Sequence, residues 1–202
     1  MSRPRVVILD GVTGSGKSEL LAYAKEHPSG RYAIPTKLTT RPRRSSDNSW
    51  EFSFVTAIAD SPRLVIWGTL GKRYAVSIDD VRDAGSSGRT SVLVCTEPSI
   101  IAVLAHEFDL VHIYLYRPMG RAELLRLLDQ RGTAPDQIKI RVAEHVSVRH
   151  DYLVKIPTIT ATLLNVGDTM DLRHQFDEVM SRADLYCQTG PPRRRWPFGY
   201  GE

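Results

Sequence analysis

The 202-residue chain is predicted to be an α/β protein of three layers. A parallel sheet carries helices on both faces and is interrupted by one small β-rich insertion. Three observations predict this. A short apolar run, Val6-Val7-Ile8-Leu9, leads into the glycine-rich stretch Gly11-Val12-Thr13-Gly14-Ser15-Gly16-Lys17-Ser18, and a helical pattern follows directly. From residue 78 onward strand-like and helix-like segments alternate. Between residues 33 and 77 the segments are successively extended, with no helical period among them.

Taken in order, residues 5–10 form the first strand and residues 16–27 a helix ended by Pro28-Ser29-Gly30. Residues 32–40 are extended, and an arginine-crowded loop follows: Thr39-Thr40-Arg41-Pro42-Arg43-Arg44. Residues 50–55 (Trp-Glu-Phe-Ser-Phe-Val) alternate, and residues 63–70 and 73–77 also read as strands. Ser77-Ile78-Asp79-Asp80 is an N-cap with a capping-box acid opening a short helix, in which Asp79 and Asp80 are first-turn acids rather than metal ligands. Gly85–Gly88 is a turn. A strand over 90–95, a helix over 99–106, a strand around 112–116 and a leucine-rich helix over 122–130 come next. Arg131-Gly132-Thr133-Ala134-Pro135 breaks the pattern before a helix over 138–152, with apolar residues at Ile138, Val142, Val146 and Leu153. Residues 161–166 are the last strand and 172–185 the last helix. The domain is expected to span 1–187, with a core of 1–32 and 78–187, an insertion of 33–77 and a lid at about 131–145. Residues 188–202, with Arg193-Arg194-Arg195 and several prolines and aromatics, form an exposed, mobile tail.

Composition narrows the class. Apolar residues make up 42% and charged residues 25%, as in ordinary globular domains and unlike disordered or membrane chains. No run is long enough to span a membrane, and no signal peptide is expected before the first strand. The two cysteines, Cys95 and Cys187, give neither a disulfide framework nor a zinc spacing, which suits a reducing cytoplasm. Cys95 sits in an apolar run and reads as core. The six histidines show no metal spacing and read as surface or helix residues. The net charge of +4 suits phosphate-rich ligands. It is weak evidence for nucleic acid, which is not an expected partner.

The glycine-rich stretch fits G-x-x-x-x-G-K-[ST] without mismatch, in the strand–loop–helix context the motif needs. Its backbone N–H groups would cradle phosphate oxygens at a helix N-terminus. Gly11, Thr13, Gly14, Ser15, Gly16, Lys17 and Ser18 are therefore the candidate triphosphate site for ATP or GTP. Lys17 would reach the β- and γ-phosphates, and Ser18 would hold Mg²⁺ through its hydroxyl.

This loop, the Thr39-Thr40-Arg41 loop before a β-rich insertion, and Arg131-Gly132-Thr133 in a later loop occur in that order. Together they resemble guanylate kinase over about residues 5–180. The resemblance implies a P-loop NTPase core and transfer of a phosphoryl group from ATP to a nucleoside monophosphate. It also implies that Arg41 and Arg44 clamp the acceptor's phosphate, with Arg43 competing for the second role. Arg131 and Arg141 would close over the transferring group, and Asn165 would contact adenine.

The departures fall on the acceptor. Phe52 stands where the family has a clamping tyrosine, while Tyr74 matches a second one. Lys37 stands where a serine contacts guanine, and Ile66 precedes Trp67 where a glutamate would. An isoleucine accepts no hydrogen bonds from guanine, so altered base specificity is expected. The family's strand aspartates are absent, and in Val92-Leu93-Val94-Cys95-Thr96-Glu97 only Glu97 offers a carboxylate.

Asp10 directly precedes Gly11. A carboxylate there would serve as general base for a hydroxyl acceptor, whereas a phosphate acceptor needs none. It would equally brace the loop, and both readings stay open. A non-catalytic binding module of the same family is the further alternative, which the intact Lys17 and Ser18 disfavour.

Overall fold

The computed structural model describes residues 3–44, 47–69, 71–143 and 159–189. The far part of the helix expected over 138–152, the lid beyond residue 143 and the tail from residue 190 lie outside the described residues, as does the Cys187 side chain.

Strand β1 (Arg5–Asp10) is the centre of the molecule. It is flanked in a five-stranded sheet of order β2-β7-β1-β8-β9, formed by β2 (Tyr32–Ala33), β7 (Thr90–Val94), β8 (Asp109–Tyr116) and β9 (Ile159–Leu164). Every pairing in it is parallel. A strand buried on both faces should be apolar throughout, and alternate residues of β1 do feed two different cores. Val7 and Leu9 pack with Leu20, Leu21 and Ala24 of α1 (Lys17–Glu26) and with Leu172, Phe176 and Met180 of α6 (Thr169–Thr189). Val6 and Ile8 pack with Val81 of α2 (Ile78–Ser86) and Ile101 and Leu104 of α3 (Pro98–Glu107). This is the expected three-layer α/β architecture.

The chain leaves the central sheet after β2 and builds a second, four-stranded sheet of order β4-β3-β6-β5. Its strands are β3 (Lys37–Thr39), β4 (Phe52–Phe54), β5 (Leu64–Thr69) and β6 (Lys72–Ser77). The expected insertion begins slightly late, because Ala33 pairs with Ser91 in the central sheet. Strands β5 and β6 form a hairpin that turns through Gly71 at φ 69°, a conformation in which a Cβ is costly. Ser77 then caps α2, its hydroxyl accepting the Asp80 N–H at 3.1 Å, as the local pattern predicts. Helix α2 continues through Ser86, into the stretch expected to turn.

A third small core joins Met119 to Leu124 and Leu128 of α4 (Arg121–Gln130), with Ile138 and Val142 of helix α5 (described over 135–143) packed against them. Residues 131–134, between these two helices, carry Arg131. Among the described residues no helix is long and apolar enough to cross a membrane.

Candidate active site

In an open parallel sheet, ligands sit beyond the carboxyl ends of the strands where the strand order switches sides. Here that point is the end of β1, between β7 and β8, and the glycine loop emerges there. Gly11 has φ 133°, and a Cβ on it would lie 2.4 Å from the Leu115 carbonyl oxygen. Gly16, at the N-cap of α1, has φ 107°, and its Cβ would lie 2.7 Å from Asn165 Nδ2. Both glycines are thus imposed by conformation and by close approach.

A cavity of about 480 Å³ opens over this loop. Thr13, Gly14, Gly16, Lys17 and Ser18 line it, together with Arg131, Arg141 and Asn165. Residues 128 positions apart meet here, since Arg141 Nη1 donates to Thr13 Oγ1 at 2.8 Å. Lys17 Nζ folds back to donate to the carbonyls of Gly11 at 2.5 Å and Val12 at 2.7 Å. Burial pushes its pKa from 10.5 down to about 8; Arg131, Arg141 and Lys37 add to that push, and the Asp10 carboxylate opposes it. Burial, Arg44 and Arg117 likewise hold Arg131 below its ordinary value. The cavity is therefore overloaded with positive charge, the electrostatic form of an anion site.

Arg117 belongs to no motif of the sequence. It follows β8, ion-pairs with Glu123 at 2.7 Å and lines the same cavity. Placing β8 beside β1 would have revealed it, because both strands end at the ligand edge.

Asn165 also occupies this edge. Its side-chain N–H donates to the Ser15 carbonyl at 2.9 Å, and its Oδ1 accepts the Gly167 N–H at 2.9 Å. The residue expected at the adenine is thus tied to the loop itself.

Asp10 is 1% exposed. Its Oδ1 accepts the Gly11 N–H at 2.6 Å, and its Oδ2 lies 3.0 Å from His112 Nε2. His112 is fully buried, which corrects the expectation that the histidines lie on the surface or on helices. It pairs with Ile8 in the neighbouring strand. Its side chain therefore shares a sheet face with that of Asp10, two residues along.

In the second sheet, the twin threonines anchor the arginine loop to β6. Thr39 Oγ1 donates to the Arg73 carbonyl at 3.2 Å, and Thr40 Oγ1 accepts the Arg73 N–H at 2.9 Å. Arg41, launched from there, is buried. Its guanidinium makes two parallel 2.6 Å hydrogen bonds to the carboxylate of Asp47. Two cations lie against the Phe52 ring, with Lys37 Nζ 4.6 Å and Arg41 Cζ 4.5 Å from its centroid. Lys37 is itself buried and paired with Glu51 at 3.0 Å. Tyr74 stacks on Trp67 with centroids 5.8 Å apart. Arg43 lies over Phe54 at 5.7 Å, whereas Arg44 is close enough to Arg131 to depress its pKa. Glu97 accepts a hydrogen bond from Ser99 at 3.1 Å. Asp47 and Glu51 are further residues that belong to no motif named above. An acid three positions after Arg44, in a basic loop, was the available signal for the first.

No protein-family model matches the chain. Guanylate kinase of Streptomyces coelicolor is 25% identical over 173 residues, covering 82% of this chain and 85% of the relative. That of Streptomyces kasugaensis is 28% identical over 150 residues, covering 70% and 72%. The crystal structure of guanylate kinase from Anaplasma phagocytophilum superposes with a TM-score of 0.60 at 15% identity, over 91% of this chain and 87% of that one. The glycine loop at the switch point, the cationic cavity above it and these relatives together make the chain a guanylate-kinase-like P-loop kinase.

Proposed function

We propose that the protein moves the γ-phosphoryl group of ATP, with Mg²⁺, onto a small phosphorylated acceptor: a nucleoside monophosphate or a similar compound, read differently from guanine. The observation that carries this is the charge of the cleft. Lys17, Arg117, Arg131 and Arg141 line one cavity, and Arg44 of the arginine loop is close enough to Arg131 to lower its pKa.

The residues fit a triphosphate. Lys17 Nζ rests on carbonyls of its own loop and carries a burial penalty, which a phosphate anion would relieve. Ser18 lines the cavity and would hold the magnesium ion together with nucleotide oxygens. Among the described residues no cluster of three His, Cys, Asp or Glu side chains offers another metal site. When bound, the ion would neutralise charge on the phosphates. Lys17, Arg131 and Arg141 would then hold the transferring group while positive charge gathers around its equatorial oxygens. Arg41 and Arg44 would align the acceptor, since guanidinium forks match phosphate oxygens in pairs. Asn165 would face the nucleotide base from the loop it braces.

The acceptor's base would meet the Lys37–Glu51 pair and Phe52, with Tyr74 nearby. Guanine donors left unpaired in such a pocket cost about 1–3 kcal/mol each, enough to shift specificity by orders of magnitude. The hydroxyl-acceptor reading has less support, because both Asp10 oxygens are engaged within the fold. A buried free thiol at Cys95 suits a reducing cytoplasm.

The test is magnesium-dependent ATP consumption with phosphorylated acceptors (GMP, dGMP, AMP, pyrimidine monophosphates, ribose bisphosphate) against their unphosphorylated counterparts, with Lys17→Ala as the blank. Turnover confined to phosphorylated acceptors is expected. Turnover with unphosphorylated acceptors alone would overturn the proposal.

A further inference from the structure

The cation meant for the acceptor's phosphate already holds an anion. Asp47 meets Arg41 fork to fork, with both oxygens at 2.6 Å and both side chains only 6–7% exposed. The same carboxylate accepts the Arg44 N–H at 2.6 Å. One carboxylate thus uses the guanidinium of Arg41 and the backbone of Arg44, the two residues expected to clamp the acceptor. The arrangement is that of a bound oxyanion, supplied from six residues along the chain.

We propose that Asp47 is an internal stand-in for the acceptor's phosphate, displaced on acceptor binding, and that it restricts the site to phosphate dianions. This rests on the acceptor role proposed above for Arg41. Three features argue for it. First, the loop has excess cation: it carries Arg41, Arg43 and Arg44 against the one acid Asp47, and Arg131 lies close enough to Arg44 to feel its charge. Exchange of a −1 carboxylate for a −2 phosphate monoester therefore lowers the local charge imbalance, while exchange for another carboxylate gains nothing. Second, phosphate offers three oxygens where a carboxylate offers two, so it can keep the fork on Arg41 and also reach the Arg44 side chain. Third, Asp47 is an adapted occupant. Its burial would raise its pKa, yet Arg41 and the Arg44 N–H hold it below the ordinary carboxylate value. A tethered competitor at high effective concentration raises the threshold an incoming anion must exceed. A monocarboxylate or a neutral hydroxyl compound fails that threshold, and a phosphate dianion does not.

The experiment measures binding of inorganic phosphate to the full chain whose glycine loop is filled with a non-hydrolysable ATP analogue and magnesium. With Asp47→Asn the competitor's charge is gone, and phosphate should bind about tenfold tighter, the effect of one modest charge-assisted contact. Acetate, excluded from the unsubstituted protein, should then bind measurably. Equal or weaker phosphate binding by Asp47→Asn would overturn the proposal and make Asp47 a residue that merely orients Arg41. If that variant does not fold, the unsubstituted protein gives the same decision by NMR. The Asp47 carboxyl carbon should move to the position of a solvated aspartate as phosphate is added, and a resonance that stays in place contradicts displacement. Arg41→Ala separates the two readings. Phosphate binding indifferent to Arg41 refutes the acceptor role itself, and with it the stand-in. Binding that needs Arg41 yet leaves Asp47 in place overturns only the stand-in.

Discussion

Replacing Asp10 separates a brace from a base. In Asp10→Ala the Gly11 N–H and His112 Nε2 both lose a partner at a site that is 0–1% exposed. An orphaned buried polar group costs about 1–3 kcal/mol, so the two together cost about 2–6 kcal/mol. A domain of this kind holds about 5–15 kcal/mol in all, and at this length each kcal/mol shifts melting by about 2–4 °C. Asp10→Asn has the same shape. Its amide oxygen can still accept the Gly11 N–H, and its amide N–H₂ can donate to an unprotonated His112 Nε2, so its cost should be near 1 kcal/mol. A general base behaves oppositely: Asn would fail as badly as Ala, with kcat down by about 10²–10⁴ and stability little changed. Urea unfolding followed by circular dichroism, alongside ATP turnover, distinguishes the two. An alanine variant within about 0.5 kcal/mol of the parent, or an asparagine variant of native stability that has lost a hundredfold in kcat, would refute the brace.

Other expectations follow from the same geometry. Gly16→Ala places a Cβ 2.7 Å from Asn165 Nδ2 and 3.0 Å from Leu172 Cδ2 at φ 107°; calorimetry should find ATP affinity down at least about tenfold, since the loop must shift to admit the methyl. Arg131→Ala and Arg141→Ala should each lower kcat by about 10²–10³ with smaller changes in KM for ATP, and steady-state kinetics with a working acceptor checks this split. Lys17 is held near 8 in the folded chain against 10.5 when free. Between those values the unfolded chain binds the extra proton, so nucleotide-free stability should rise with pH from about 8 to about 10.5. Urea titrations across that range should show the rise and lose it in Lys17→Met.

What the sequence revealed was local or tied to a known order of motifs. The glycine loop needs only its own eight residues and the strand and helix beside it. Ser77 and Asp80 announce a cap by their spacing, and the stretch of β4 announces a strand by its alternation. The residues that escaped depend on partners set by tertiary pairing. His112 sits in an apolar strand run, and its meaning comes from Asp10, 102 residues earlier but one strand away. Arg117 became visible only once β8 lay against β1. The Lys37–Glu51 pair joins β3 to the residue just before β4, and no periodicity encodes the parallel register of those two strands. Nothing local shows that the Ala33 backbone pairs with Ser91, so sequence pattern alone places it in the insertion. Asp47 belongs to no motif, and its carboxylate gains a role only when it meets Arg41. The resemblance located the arginines, and the structure showed what each now touches.

The most direct measurement of the central claim is to follow the phosphorus atom. ATP, magnesium and a phosphorylated acceptor are incubated with the protein, and the products are observed by phosphorus NMR. Transfer onto an acceptor phosphate creates a diphosphate, with two coupled signals where the acceptor had one. That is the predicted result, and it should vanish with Lys17→Ala. A new uncoupled phosphomonoester signal, with the acceptor's own phosphate unchanged, would mean that a hydroxyl takes the phosphoryl group and would contradict the account.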